Sequence, residues 1–222
     1  MEKVAIIDER FYGRLKTRSL TVKQKALFDT MFKDVSISSG DDINEKEYKK
    51  IFLEIGFGSG EHITQLAVNT PSSLFIGCEP FINGIASLLS KIDESGISNI
   101  RIYHGDAKKL IREVPDNFFS GAFLLFPDPW PKRRHLKRRF IQERTILEVH
   151  NKLKKEGYWR MATDHEEYKN WILKLFNQEK FKEFFDLDML GKFSRPDLDF
   201  WPKTRYEEKA TNEVWYFTCI KK

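Results

Sequence analysis

Apolar and polar positions alternate in blocks through the middle of the chain. Ile51-Phe52-Leu53-Glu54-Ile55, Leu74-Phe75-Ile76-Gly77-Cys78, Ile100-Arg101-Ile102-Tyr103 and the run 121–126 are short and mostly apolar. Each is followed within two residues by glycine or proline. Runs of that length, rich in β-branched and aromatic residues and bounded by breakers, predict buried strands. The pattern at 157–163 predicts a fifth. Between these runs, apolar residues recur at helical spacing over about 61–68, 81–94 and 107–113, then over 137–153 and 165–176. Upstream, Ala26, Leu27, Met31 and Phe32 predict a short amphipathic helix within 21–34, followed by a polar linker over 36–49. Downstream come a weak strand near 181–187, a loop over 191–210 and an aromatic strand over 213–220.

Strands separated by helices imply right-handed β-α-β units. The expected fold is therefore an α/β, doubly wound, mostly parallel sheet with helices on both faces. Residues 1–20 lack periodicity and carry Arg10, Arg14, Lys16 and Arg18, a basic arm. The expected organisation is an arm, short helix and linker over 1–49, then a single domain over 50–222. Ligands of such sheets bind outside the carboxyl ends of the strands, so the residues just after each strand are the candidates for chemistry.

Composition narrows the class. With 222 residues, 41% of them hydrophobic, the chain can bury one large core. A mixed charged fraction of 32% excludes disordered and collagen-like readings. No run approaches the roughly 18 apolar residues of a membrane span, and the N-terminus is too short and acidic for a secretory signal. Cys78 and Cys219 form no C-x-x-C, which points to a reducing, cytoplasmic location. The five histidines are scattered without metal-ligand spacing, so no metal is expected.

Glu54-Ile55-Gly56-Phe57-Gly58-Ser59-Gly60 falls at the end of the first strand and opens a helix. Glycines there allow a sharp turn and close approach of backbone to a ligand. A dinucleotide fingerprint counted from Gly56 needs its third glycine at position 61, which is Glu61. No phosphate-cradling G-x-x-x-x-G-K-[ST] is present, and a carboxylate at a helix start repels a pyrophosphate. Glu79 ends the second strand, where a carboxylate accepts hydrogen bonds from both hydroxyls of an unphosphorylated ribose. A nucleoside cofactor without phosphates points to S-adenosylmethionine. Asp106 and Ala107 follow the third strand, with Asp106 placed to meet the adenine amino group. The plainer alternative makes the glycines a simple turn, and Glu79 and Asp106 helix caps.

Phe126-Pro127-Asp128-Pro129-Trp130-Pro131-Lys132 follows the fourth strand, where an acceptor meets the cofactor's methyl group. Its prolines stiffen the loop and aim Asp128. A basic segment continues from it. Lys132, Arg133, Arg134, Lys137, Arg138 and Arg139 put six cationic side chains into eight residues. Removing those six from 38 Lys and Arg leaves 32 against 33 Asp and Glu, so the net charge of +5 resides in one segment. A concentrated, single-signed run beside the acceptor site predicts RNA contact; the bland alternative is a solvated helix face.

Taken together, these motifs resemble those of the bacterial tRNA (guanine-N7)-methyltransferases. The resemblance rests on the Phe126–Lys132 motif running into Arg134-His135-x-Lys137-Arg138-Arg139, and on Leu53-Glu54-Ile55-Gly56-x-Gly58-x-Gly60. It also rests on Thr163-Asp164 and Thr204-x-Tyr206-Glu207-x-Lys209, and extends to the basic arm with Arg14. It implies a Rossmann-like class I methyltransferase sheet with an antiparallel C-terminal strand. It implies methyl transfer from S-adenosylmethionine to N7 of a guanosine in the tRNA variable loop. At the cofactor it places Glu54, Gly56, Gly58, Glu79, Asp106, Ala107 and Asp128, with Asp128 also catalytic. At the target it places Lys132, Asp164, Thr204, Arg205, Tyr206 and Glu207. At the RNA it places Arg134, His135, Leu136, Lys137, Arg138 and Arg139. The chain departs from the family pattern at Tyr206, where Phe is more usual, and at Ala210, where Gly is.

The chemistry agrees with these residue types. Guanine N7 carries an in-plane lone pair and no proton, so no general base is required, and positioning with electrostatics is the work left. Transfer leaves positive charge on the purine, which Asp128, Asp164 and Glu207 are candidates to stabilise. Lys132 either donates to O6 or holds a phosphate. Trp130, Trp201 and Tyr206 either stack on bases or pack locally, whereas Trp159, Trp171 and Trp215 read as core. Rival readings are a small-molecule or protein methyltransferase, a non-catalytic RNA-binding module, and a dehydrogenase disfavoured by Glu61. No membrane, metal or obligatory protein partner is expected.

Overall fold

The computed structural model describes residues 19–190, 207–208 and 213–222. In chain order, α1 (Val22–Thr30) and α2 (Phe32–Val35) lead into β1 (Ser36–Ile37). Then β2 (Lys50–Ile55), α3 (Glu61–Asn69), β3 (Ser73–Cys78), α4 (Ile82–Ser95), β4 (Ile100–Tyr103), α5 (Ala107–Glu113) and β5 (Phe119–Leu125) alternate. A 3-10 segment, Arg133–Arg138, precedes α6 (Glu143–Lys152), β6 (Leu153–Thr163), α7 (Glu166–Phe176) and α8 (Glu179–Lys182). Strands β7 (Phe185–Leu190) and β8 (Trp215–Lys221) complete the sheet.

The eight strands lie in the order β1-β4-β3-β2-β5-β6-β8-β7. Pairing is parallel from β1 through β6, and β8 runs antiparallel to both β6 and β7. From β2 the chain winds outward through β3 to β4, then crosses to β5 on the other side of β2. That reversal opens a crevice at the carboxyl ends of β2 and β5.

The two-residue period of β2 divides the core. Ile51, Leu53 and Ile55 face one apolar layer with Leu110 of α5, Ile146 of α6 and Ile172 of α7. Phe52 faces the other, with Ile63 and Leu66 of α3 and Ile85 and Leu88 of α4, and its ring stacks on Phe75 at 5.2 Å. Glu54 has the parity of Phe52, which turns it toward α3. Trp159 is fully buried, while Trp171 and Trp215 pack partly exposed against the same core.

Several expected elements differ: the helix expected within 21–34 breaks at Met31 into α1 and α2, and the strand expected over 157–163 begins at Leu153. The linker over 36–49 holds β1, which pairs with β4 at the sheet edge, and two 3-10 turns. In the first of these turns the Asp42 carboxylate accepts from the Ser38 and Ser39 amides and the Ser38 hydroxyl, which hold its pKa below the ordinary carboxylate range. The helix expected over 137–153 starts only at Glu143. The Gln142 amide nitrogen donates to the Leu136 and Arg139 carbonyls, at 2.8 and 3.1 Å, and the Gln142 N–H donates to Thr145 Oγ1 at 2.9 Å. Those bonds satisfy backbone groups outside the helix and set its start. The strand expected near 181–187 is shifted to Phe185–Leu190, behind the single turn of α8. Among the described residues no helix is long and apolar enough to cross a membrane, and no His, Cys, Asp and Glu cluster is arranged to hold a metal.

Candidate functional site

A cavity of about 240 Å³ opens at the crevice between β2 and β5. It is lined on one side by Glu54, Gly56, Gly58, Glu61, His62 and Glu79, and on the other by Phe126, Pro127 and Asp128. Glycine makes its wall. Gly56 has φ +70°, and a Cβ there would meet nothing within 4 Å, so bare backbone faces open space. Behind it, α4 passes so close that a Cβ on Gly84 would lie 2.3 Å from the Gly58 carbonyl oxygen.

Glu79 ties this wall together. Its two oxygens accept from the Gly58 N–H at 2.8 Å and the Phe81 N–H at 3.0 Å. Each oxygen keeps a further lone pair for a ligand hydroxyl. Burial raises the Glu79 pKa, the two N–H bonds oppose that, and the charges of Glu54 and Asp128 add to it. Glu79 is therefore a strand-end carboxylate that braces the glycine loop; Phe81 holds the N-cap position of α4.

Glu54 has a partner that metal-ligand spacing does not reveal. His62 Nδ1 lies 2.7 Å from Glu54 Oε2, with both side chains almost fully buried and the imidazole edge-on to Phe123 at 4.8 Å. The sequence signal is positional. A residue in the first turn of the helix after a glycine loop comes back beside the strand's last residues.

Among the described residues, the lining includes four carboxylates, Glu54, Glu61, Glu79 and Asp128, and neither lysine nor arginine. Such a donor set suits a cation and disfavours phosphates. S-adenosylmethionine carries a sulfonium and an ammonium group and no phosphate, so these residues fit it. Asp106 is the N-cap of α5, its Oδ1 accepting from the Lys108 N–H at 3.0 Å, so the capping alternative is realised. Asp106 and the buried Ala107 lie outside the lining of this cavity.

Across the crevice, the Phe126–Lys132 loop is built differently. Phe126 and Trp130 hold φ of +50° and +42°, a left-handed conformation that side chains disfavour. At one end, the Phe126 N–H donates to the Ala162 carbonyl at 2.8 Å. At the other, Arg139 Nε donates to the Pro129 carbonyl at 2.8 Å. Asp128 sits exposed between these anchors.

The basic segment divides by exposure. Lys132, Arg133, Arg134 and Lys137 are exposed, and His135, Leu136 and Arg138 are half-buried. Trp130 is packed here, with the Arg138 guanidinium 4.9 Å from its ring and His135 edge-on at 5.7 Å. Partial desolvation, then the charges of Arg138, Arg134 and Lys132, lower the His135 pKa. Arg139 corrects the expectation of a continuous RNA-facing run. Only 2% of its surface is exposed, so its guanidinium faces the protein interior.

Asp164 follows β6 half-buried, and the N-cap position of α7 belongs to His165 instead. Glu207 Oε1 accepts a hydrogen bond from the Tyr216 hydroxyl, and Tyr216 on β8 pairs with Ala162 of β6. The fold thus brings Glu207 toward the end of β6 that carries Asp164. Thr204, Arg205, Tyr206, Trp201 and the arm with Arg14 lie outside the described residues. A larger cavity, about 610 Å³, lies at the opposite, amino end of the strands, lined by Lys50, Phe52, Ser73, Phe123 and Tyr158 among others. Among the described residues it contains none of the expected site residues, and it lies at the wrong end of the sheet for a cofactor.

Residues 48–215 match a family model described as a putative methyltransferase. A tRNA (guanine-N(7)-)-methyltransferase of Zymomonas mobilis subsp. mobilis is 40% identical over 215 residues, spanning 94% of this chain and 92% of the relative. One from Rhizobium johnstonii is 38% identical over 223 residues, spanning 96% and 94%. Among solved structures, a 16S rRNA methyltransferase superposes with a TM-score of 0.59 at 14% identity, over 80% of this chain and 91% of the other. An antibiotic-related methyltransferase gives 0.54 at 16% identity, over 92% and 96%. At such identities these two structures speak for the fold alone, a class I methyltransferase sheet.

Proposed function

Since the chain belongs to the tRNA (guanine-N7)-methyltransferases, we propose that it acts in the cytoplasm and methylates N7 of a guanosine in the variable loop of tRNA. One observation supports this most strongly. A cavity lined, among the described residues, by four carboxylates and neither lysine nor arginine adjoins, across the Asp128 loop, an exposed cationic segment. The first part suits a cationic cofactor and the second suits an RNA backbone.

S-adenosylmethionine, when bound, supplies an electrophilic methyl group on a sulfonium. Glu79 accepts the ribose hydroxyls on lone pairs left over from its bonds to Gly58 and Phe81. Glu54, held by His62, turns negative charge toward the cationic ligand, and Gly56 and Gly58 let it approach the backbone. Asp106 and Ala107 border the adenine side. Asp128, on a loop fixed at both ends, faces cofactor and acceptor together. The N7 lone pair would take the methyl group as its bond to sulfur breaks and neutral S-adenosylhomocysteine leaves; no proton is lost, so the purine becomes cationic. Asp128, Asp164 and Glu207 stabilise that charge and accept from guanine N1–H and its exocyclic amino group. Lys132, with Thr204, Arg205 and Tyr206, completes the target site. Arg134, His135, Leu136, Lys137 and Arg138 form the RNA-facing part of the basic segment.

The acceptor atom is tested directly with tRNA transcripts in which guanosine is replaced by 7-deazaguanosine, whose ring has C–H in place of N7. Labelled methyl groups should enter ordinary transcripts and be absent from the deaza transcripts. Equal incorporation into both would place the reaction on another atom.

A further inference from the structure

We propose that Arg139 is a positioning residue, a clasp that fixes the Asp128 loop onto α7, and not a contact to RNA. This deepens the function proposed above and rests on Asp128 acting at the acceptor. Three observations carry it.

The first is direction. Arg139 follows a run of exposed cations, yet its side chain is 3% exposed and reaches inward. A guanidinium so placed has no surface to offer a phosphate.

The second is what it holds. Arg139 Nε donates to the Pro129 carbonyl at 2.8 Å, one residue after Asp128. That carbonyl belongs to a loop whose Phe126 and Trp130 both sit in the left-handed region. Such residues persist only where surrounding contacts over-determine them. A charge-assisted bond at one end and the Phe126–Ala162 backbone bond at the other supply those contacts.

The third is what it is held by. The guanidinium carbon lies 5.4 Å from the Tyr168 ring and 5.2 Å from the Trp171 ring, both on α7. The same two side chains bracket the backbone of Ile141. The Ile141 N–H donates to the Tyr168 hydroxyl at 3.3 Å, and Trp171 Nε1 donates to the Ile141 carbonyl at 2.7 Å. Glu167, also on α7, places a carboxylate 3.7 Å from Arg139 Nη2. Because α7 begins two residues after Asp164, one side chain links the loop of Asp128 to the element that positions Asp164.

The test compares Arg139→Met, Arg139→Lys and Arg134→Ala with the wild type. Four quantities are read: single-turnover methylation of tRNA, tRNA affinity against salt, affinity for S-adenosylhomocysteine, and amide hydrogen exchange over 126–130. Removing one charge-assisted hydrogen bond should lower turnover by Arg139→Met roughly 10- to 100-fold. Exchange at Phe126, Asp128 and Trp130 should accelerate, while tRNA affinity and its salt slope stay at wild-type values. Arg139→Lys keeps a charged donor and should recover part of the rate. Arg134→Ala should show a weaker tRNA affinity, a salt slope reduced by roughly 0.7–0.9 and unchanged loop exchange. A reduced salt slope in Arg139→Met with unchanged loop exchange would overturn the clasp in favour of RNA contact. Unchanged turnover and exchange would overturn it outright. Should Arg139→Met fail to fold, Arg139→Lys alone decides by the same exchange and salt-slope readouts. Failure of the wild type to methylate tRNA would count against the proposed function instead, and the exchange measurement would still decide the clasp.

Discussion

The loops after β2 and β5 face each other across one crevice and reach left-handed backbone by opposite means. In the first, the residues with positive φ are Gly56, Gly58 and Gly60, which adopt it at little cost. In the second they are Phe126 and Trp130, where it costs about 1–3 kcal/mol each. The glycine loop is therefore specified mainly by its own sequence and braced by one carboxylate, Glu79. The proline loop depends on partners far along the chain, Ala162 and Arg139. One side leaves bare backbone facing the cavity, and the other fixes the backbone that carries Asp128.

The comparison breaks most visibly at Asp128. If it stabilises charge developing on the acceptor, Asp128→Ala should lower turnover roughly 100- to 1,000-fold, measured by single-turnover methylation. Near-normal turnover would leave the stiff loop without its assigned purpose.

Next in size is Glu79. Replacing it by Gln weakens bonds made to a charged group, so affinity for S-adenosylhomocysteine should fall roughly 10- to 100-fold in a calorimetric titration. Its raised pKa sets the pH behaviour. Protonation removes the charge that accepts the ribose hydroxyls, so wild-type affinity should decline as pH falls. That decline should begin above the ordinary glutamate range and be absent in Glu79→Gln. Stability runs the other way. Because the folded pKa is raised, this group's contribution is full below the ordinary glutamate value and is lost as pH rises through the raised one.

The smallest effect separates the two building methods. Gly56→Ala introduces no clash, so it should cost only the left-handed preference of an L-residue, about 1–2 kcal/mol in denaturant unfolding. A much larger loss would show that the glycine loop is held by packing, as the proline loop is.

The strand–helix alternation and the carboxylates at strand ends were legible in the sequence because each depends on local pattern. Glu54 and Glu79 lie where an apolar run meets a breaker, and strand-end position alone marks them. His62 was not legible as a partner, because its contact arises when the glycine turn folds α3 back beside β2. Arg139 was misplaced because charge counts carry no direction. Gln142 delays the helix to Glu143, the preceding residues adopt a 3-10 path, and the last cation turns inward between Tyr168 and Trp171. β1 was missed because two residues in a polar stretch give no period, and its pairing comes from β4.

The most direct measurement is to incubate the purified protein with labelled S-adenosylmethionine and unmodified tRNA transcripts, then digest with nuclease and locate the methylated nucleoside by mass spectrometry. The account predicts 7-methylguanosine within the variable loop. A methylated base of another kind, or methylation confined to another part of the tRNA, would contradict it.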